Sequence, residues 1–259
     1  MTLSKEDLLD LHYAKSLLED PGLATKITGA LGVPIERGFE LLPEGWRERI
    51  HVAAQGSLEK ALDAAVFTLR GQRDGGSFDL AHKIAVGATG AAGGAFGLGA
   101  LTIELPLSTT IMLRSIASIA STEGHDTDDL ETRLACLEVF ALGGPASSDD
   151  SSETGYFAIR AVLGKAVSEA AEHVARHGLA TKTAPPLVRL LSTISSRFGL
   201  VVSEKAAAQA IPVVGAAGGA LVNTLFMGHF QDVAHGHFIV RRLELVHGAD
   251  TVRKFYDQA

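Results

Sequence analysis

The chain has 259 residues, 46% of them hydrophobic and 20% charged, with 28 glycines, 11 phenylalanines, one tryptophan and a formal net charge of −7. That apolar fraction excludes disorder as a whole-chain description, and a single cysteine, Cys136, excludes a disulfide scaffold. The acidic balance argues against nucleic-acid binding, which calls for a basic face. The mean hydropathy is +0.20, and this length suits one large domain.

The helical period dominates from the start. Met1 to Asp10 is polar and acidic, without the basic-then-apolar order of a secretory signal, which places the chain in the cytoplasm. Ser4 and Asp7 have capping-box spacing, and the helix they open runs to about Glu19, where Asp20-Pro21-Gly22 stops it. Short helices follow over Leu23–Leu31 and Ile35–Leu41. From Glu44 to Arg70 the residues Trp46, Ile50, Ala53, Ala54, Leu58, Ala61, Leu62, Ala65, Val66 and Leu69 line one helix face. Residues 71–77 read as a flexible loop, with Ser77 as a cap for the next helix.

Ile84 to Leu113 departs from this pattern. Its only charge is Glu104, glycines fall at 87, 90, 93, 94, 97 and 99, and Pro106 predicts a kink. Asp126 or Thr127 is predicted to cap a helix from Asp128 to about Leu142. Residues 143–153 form a second flexible loop by composition. Helices are then predicted over Thr154–His177, Leu187–Gly199 and Leu200–Ala210, with Pro212 as a second kink. One long helix is predicted over Val213–His247, and Asp250 caps a last turn to Tyr256. No sustained strand alternation occurs. The fold class is therefore all-α, a multi-helix single domain of about eight to ten helices. At its centre is a pair of glycine-rich apolar helices, each carrying one polar residue, Glu104 and Asn223.

Several blocks carry a family resemblance: Pro21-Gly22-Leu23, Gly32-Val33-Pro34-Ile35-Glu36, Leu42-Pro43, Glu104-Leu105-Pro106, Ala120 with Gly124 and Asp126, and Tyr156-Phe157-Ala158-Ile159-Arg160. The most specific lies near the end: Asn223-Thr224-Leu225-Phe226, His229-Phe230-Gln231-Asp232, His237-Phe238 and Arg241-Arg242-Leu243-Glu244. In these the chain resembles the EcsC family over nearly its whole length. The resemblance implies an accessory role beside a bacterial ABC transporter and no set of catalytic residues. The phosphate loop G-x-x-x-x-G-K-[ST] does not occur, so the chain is not itself the transporter ATPase.

The glycines at 90 and 94, 93 and 97, and 215 and 219 have the spacing that lets helix backbones approach closely. Ile84–Ile103 is a 20-residue run without charge, long enough to cross a bilayer. The simpler reading is a buried hairpin that touches the membrane. On that view Gly94→Leu or Gly219→Leu damages folding more than the same change at Gly75. Glu104 needs a partner in apolar surroundings, and Arg114, Lys83 and Asn223 are the candidates. Glu104, Arg114 and Asn223 are accordingly the candidate ligand-binding residues. If Glu104 serves structure alone, Glu104→Gln costs little stability.

His229, Asp232 and His235 recur every third residue on one helix and resemble half of a di-metal motif. A second such pair is missing, so no metal or other cofactor is assigned. Cys136 reads as a small core residue, and no G-x-S-x-G elbow occurs. The sequence thus supports a non-enzymatic, membrane-associated accessory that binds lipid or a membrane-protein partner through its glycine-rich helices. It would sit in the cytoplasm, peripheral on the inner face of the membrane. The alternatives are a soluble helical carrier of an acyl-chain ligand and, behind it, a metal-dependent enzyme.

Overall fold

A computed structural model describes residues 3–20, 22–69, 98–144, 152–178, 184–211 and 215–259. Among these residues there are ten helices and no strand, as the helical periodicity requires. They are α1 (Lys5–Leu18), α2 (Leu23–Leu31), α3 (Glu36–Leu41), α4 (Trp46–Phe67) and α5 (Leu98–Thr122). Then come α6 (Leu130–Leu142), α7 (Ser152–His177), α8 (Pro185–Ala210), α9 (Gly215–His247) and α10 (Ala249–Tyr256). The loops predicted at 71–77 and 143–153, the glycines at 87 to 97 and the Pro212 kink lie largely or wholly outside the described residues.

The helix starts show how local chemistry sets the boundaries. The Ser4 hydroxyl accepts from the Asp7 N–H at 3.0 Å, and the Ser4 N–H donates to the Asp7 carboxylate at 3.3 Å, closing the predicted capping box. α6 begins two residues later than its spacing predicts. Asp129 is the N-cap, accepting from the Thr132 N–H at 2.9 Å, while Asp126 instead accepts from the Asp128 N–H at 2.8 Å in a turn. Gly248, not Asp250, is the N-cap of α10, and Asp250 sits in its first turn, where a carboxylate suits the helix dipole. The predicted break at Gly199-Leu200 does not occur; α8 is one helix of 26 residues. Pro106, where a kink is predicted, lies inside α5, which continues to Thr122.

α9 is the axis of the molecule. It packs against α1, α2, α5, α6, α8 and α10, while α4 lies across α5, α6 and α8. Phe140 from α6, Phe198 from α8 and Phe226 and Phe230 from α9 meet with ring centroids 5.1 to 6.2 Å apart, in tilted or edge-on pairs. Two glycines set the closest approaches. A Cβ on Gly38 would collide with the Ala207 backbone carbonyl, which seats α3 on α8. A Cβ on Gly236 would lie 2.9 Å from the Ala14 carbonyl oxygen and 2.7 Å from Leu18 Cγ, which seats α1 on α9. Among the described residues no helix is long and apolar enough to cross a membrane.

Candidate functional site

The two polar residues that the sequence places on the central helices do meet. The Asn223 amide donates to Glu104 Oε1 at 2.8 Å, joining α9 to α5 inside the core. The cation beside Glu104 is Lys205 of α8, whose Nζ donates to the same oxygen at 2.6 Å. Lys205 is fully buried, with Nζ 4.8 Å from the Phe226 ring centroid. Burial pulls its pKa down, and the attraction of Glu104 offsets part of that effect.

Arg114 is not the partner of Glu104. It is exposed on α5, ten residues or about 15 Å along the helix from Glu104. The core selects Lys205 because it stands among Val201, Val202, Ala206 and Ala207 on the inward stripe of α8. Lys83 lies outside the described residues.

The metal candidates diverge. A spacing of three residues drifts around a helix, so six residues place His229 and His235 about 120° apart. His229 Nε2 donates to the Gly143 carbonyl at 2.7 Å, and burial holds its pKa below the usual histidine value. Asp232 accepts from Lys26 at 2.9 Å, and His235 stands 3.8 Å from Glu123. Among the described residues no three His, Cys, Asp or Glu side chains are grouped to hold a metal ion.

Near the Glu104 end of the molecule an apolar groove of ≈ 510 Å³ opens on the surface. Phe39 of α3, Trp46 and Ile50 of α4 and Leu200 of α8 line it, with Arg47, His51 and Glu204 also on its wall. The Phe39 and Trp46 rings lie 5.7 Å apart, and the Arg47 guanidinium lies 5.4 Å from the Trp46 ring centroid. Leu200 is 51% exposed. Burial pushes the Glu204 carboxyl up to about 7, against a backbone hydrogen bond at Ala24 that favours its charged form. Leu107 and Leu221, each within a turn of Glu104 or Asn223, are also exposed. An apolar wall carrying an indole and an arginine at its rim suits the boundary between hydrocarbon and water.

A second buried polar group lies further along α9. Arg160 of α7 and Glu244 of α9 form a bidentate pair. The Tyr156 hydroxyl lies 3.0 Å from His237 Nδ1. His237 is fully buried, and burial together with Arg160 and Arg241 holds its pKa well below the usual histidine range. The ring is therefore neutral, and one hydrogen bond joins it to the phenol. His237 Nε2 then faces Glu138 Oε2 at 3.4 Å without hydrogen-bond geometry. Glu138 of α6 is fully buried, and burial pushes its carboxyl up to about 7 despite Arg241 and Arg160 nearby.

Sequence reasoning missed Lys205 and Glu138 as site residues. Lys205 is the one charge among the buried residues of α8, the signal that singles out Glu104, whereas Glu138 shares its face of α6 with exposed Glu131.

The model of the EcsC protein family matches residues 24–243, and the chain belongs to that family. No curated protein and no solved structure matches it.

Proposed function

We propose that this EcsC-family chain is a non-enzymatic lipid-binding accessory, peripheral on the cytoplasmic face of a membrane. It seats an acyl chain in the groove of Phe39, Trp46, Ile50 and Leu200. The observation that carries this reading is that groove: an apolar channel with exposed Leu200 on its wall and Trp46 and Arg47 at its rim. The sequence puts the lipid contact on the glycine-rich helices. Our reading puts it instead on α3, α4 and α8, beside the buried Glu104–Lys205–Asn223 group.

Each buried methylene contributes about 0.8 kcal/mol. About eight methylenes then supply roughly 6 kcal/mol, a dissociation constant of tens of micromolar. The segment around the groove mixes Glu36, Glu40, Glu44 and Glu48 with Arg37, Arg47 and Arg49, so neutral lipid suffices.

Trp46 is the only tryptophan, so its fluorescence reports on the groove directly. With phosphatidylcholine vesicles its emission shifts to the blue and the protein floats with the lipid. Leu200→Glu abolishes both effects, with little change in Tm because the side chain is exposed. A parent protein that stays with the soluble fraction and keeps its emission overturns the proposal. Binding is also tighter at pH 6 than at pH 8, because protonated Glu204 is neutral and ionised Glu204 places a charge against the acyl chain. The dissociation constant measured by Trp46 titration at the two pH values checks the sign, and Glu204→Gln makes them equal.

A further inference from the structure

Eighteen residues separate Asn223 from Arg241 on α9, about 27 Å along the helix axis. The polar cluster at Arg241 is therefore separate from the lipid groove. A cleft of ≈ 400 Å³ opens there between α7, α9 and α10. Glu138 lies in its wall, fully buried, and among the described residues neither carboxylate oxygen has a hydrogen-bond partner. A buried carboxyl group without donors is costly unless something brings them.

The charges around the cleft narrow what that is. Arg160 and Glu244 satisfy one another. Among the described residues Arg241 has no ion pair closer than the 3.9 Å approach to Glu138. Lys165 and Arg253 also line the cleft, against Asp250. Setting aside the Arg160–Glu244 pair, three cations face two carboxyl groups. That surplus suits an oxyanion, whose oxygens match the fork of an arginine. A bare oxyanion leaves Glu138 without a donor. A ligand carrying hydroxyl groups beside its oxyanion supplies both needs.

The α7 wall is shaped for entry. Gly164 lies on it in mid-helix, and a Cβ there would meet nothing within 4 Å. Its lack of a side chain thus leaves room in the cleft rather than serving a close helix contact.

We infer that the cleft between α7, α9 and α10 binds a small soluble phosphate monoester bearing hydroxyl groups. Arg241 and Arg253 hold the phosphate, and Glu138 accepts from a hydroxyl. This site does not depend on the lipid reading of the groove.

Isothermal titration of the full chain with sn-glycerol 3-phosphate tests this, with inorganic phosphate and glycerol as its two halves. Glycerol 3-phosphate binds at least tenfold more tightly than inorganic phosphate, and glycerol alone does not bind. Arg241→Gln and the exposed Arg253→Gln each weaken binding at least tenfold. Glu138→Met removes the preference for glycerol 3-phosphate over inorganic phosphate. Gly164→Leu puts a side chain into the cleft from a position where a Cβ meets nothing within 4 Å, so it blocks binding while Tm holds or rises. That combination separates a site from a merely structural cluster and covers the case in which a Glu138 variant fails to fold. No binding of glycerol 3-phosphate at 10 mM, or unchanged binding in the two arginine variants, overturns the inference. Arg241-dependent binding to phosphatidylglycerol vesicles without binding of the soluble ester also overturns it, and assigns the cleft to a lipid headgroup.

Discussion

Lys205 shows what one buried charge demands of its neighbours. Its ammonium has no access to water, and Glu104 supplies the counter-charge within the core. Removing one member of a buried pair leaves the other uncompensated, which costs about 3–5 kcal/mol. Glu104→Gln and Lys205→Met should therefore each lower stability by roughly 3 kcal/mol in urea titrations. The double variant should recover most of that loss, because the introduced amide oxygen can still accept from Asn223 while no charge remains. A loss in the double variant equal to the sum of the two single losses would show that the attraction of the pair matters little. The sequence-based expectation of a cheap Glu104→Gln rests on a neutral partner, and a fully buried lysine reverses it. Glu104 and Asn223 are legible in the sequence because each interrupts a long apolar run on a different helix. Lys205 is not, because its stripe becomes visible only when α8 is read as one helix through Gly199. Arg114 misleads for the complementary reason: nearness in sequence says nothing of which helix face a side chain takes.

Among the elements, the glycines sort by what stands opposite them. Gly38 and Gly236 face backbone across a helix contact, whereas Gly56 in α4 has nothing within 4 Å of a Cβ. Gly38→Ala and Gly236→Ala should thus destabilise by about 1–3 kcal/mol, the usual range for overpacking. Gly56→Ala should stabilise by about 0.5–1 kcal/mol, since alanine loses less backbone freedom in a helix. Thermal unfolding of the three variants checks the order, and a loss at Gly56 equal to that at Gly38 would contradict it. The small-residue spacing in the sequence directs attention to residues 90–97 and 215–219. The close contacts at Gly38 and Gly236 have no such spacing. Each depends on a partner far away in the chain, Ala207 for one and Ala14 for the other, and local sequence does not encode that pairing. Helix existence is legible nearly throughout, because the 3.6-residue period is a local property. Boundaries slip where two side chains compete for one cap, as at Asp126 and Asp129.

At the scale of the whole molecule, α9 separates two poles, an apolar groove near its start and a polar cleft near its end. Each holds a carboxyl group that burial pushes up to about 7, Glu204 at the groove and Glu138 at the cleft. The consequence for stability has a definite sign. In the unfolded chain a glutamate titrates near 4.5. Between that pH and about 7 the folded protein holds a proton at Glu138 that the unfolded chain has released. Stability from this group is full below 4.5 and falls as pH rises through about 7. Three histidines act in the opposite sense. His125, His229 and His237 have pKa values below the ordinary 6.5, so the unfolded chain takes up protons first as pH falls, and acid destabilises the fold through them. The parent profile is therefore a compromise, and the informative quantity is the difference between variant and parent. Glu138→Gln lacks the titrating group but keeps its size. Its Tm relative to the parent should rise from pH 5 to about pH 7 and level off by pH 8.5 in phosphate-free buffer. The full span is on the order of 3 kcal/mol, or several degrees for a chain of this size. Glu204→Gln should move in the same direction by less, because solvent reaches that carboxyl and screens it. A Tm difference that stays flat across this range would mean that Glu138 keeps one protonation state throughout, with Arg241 and Arg160 outweighing its burial.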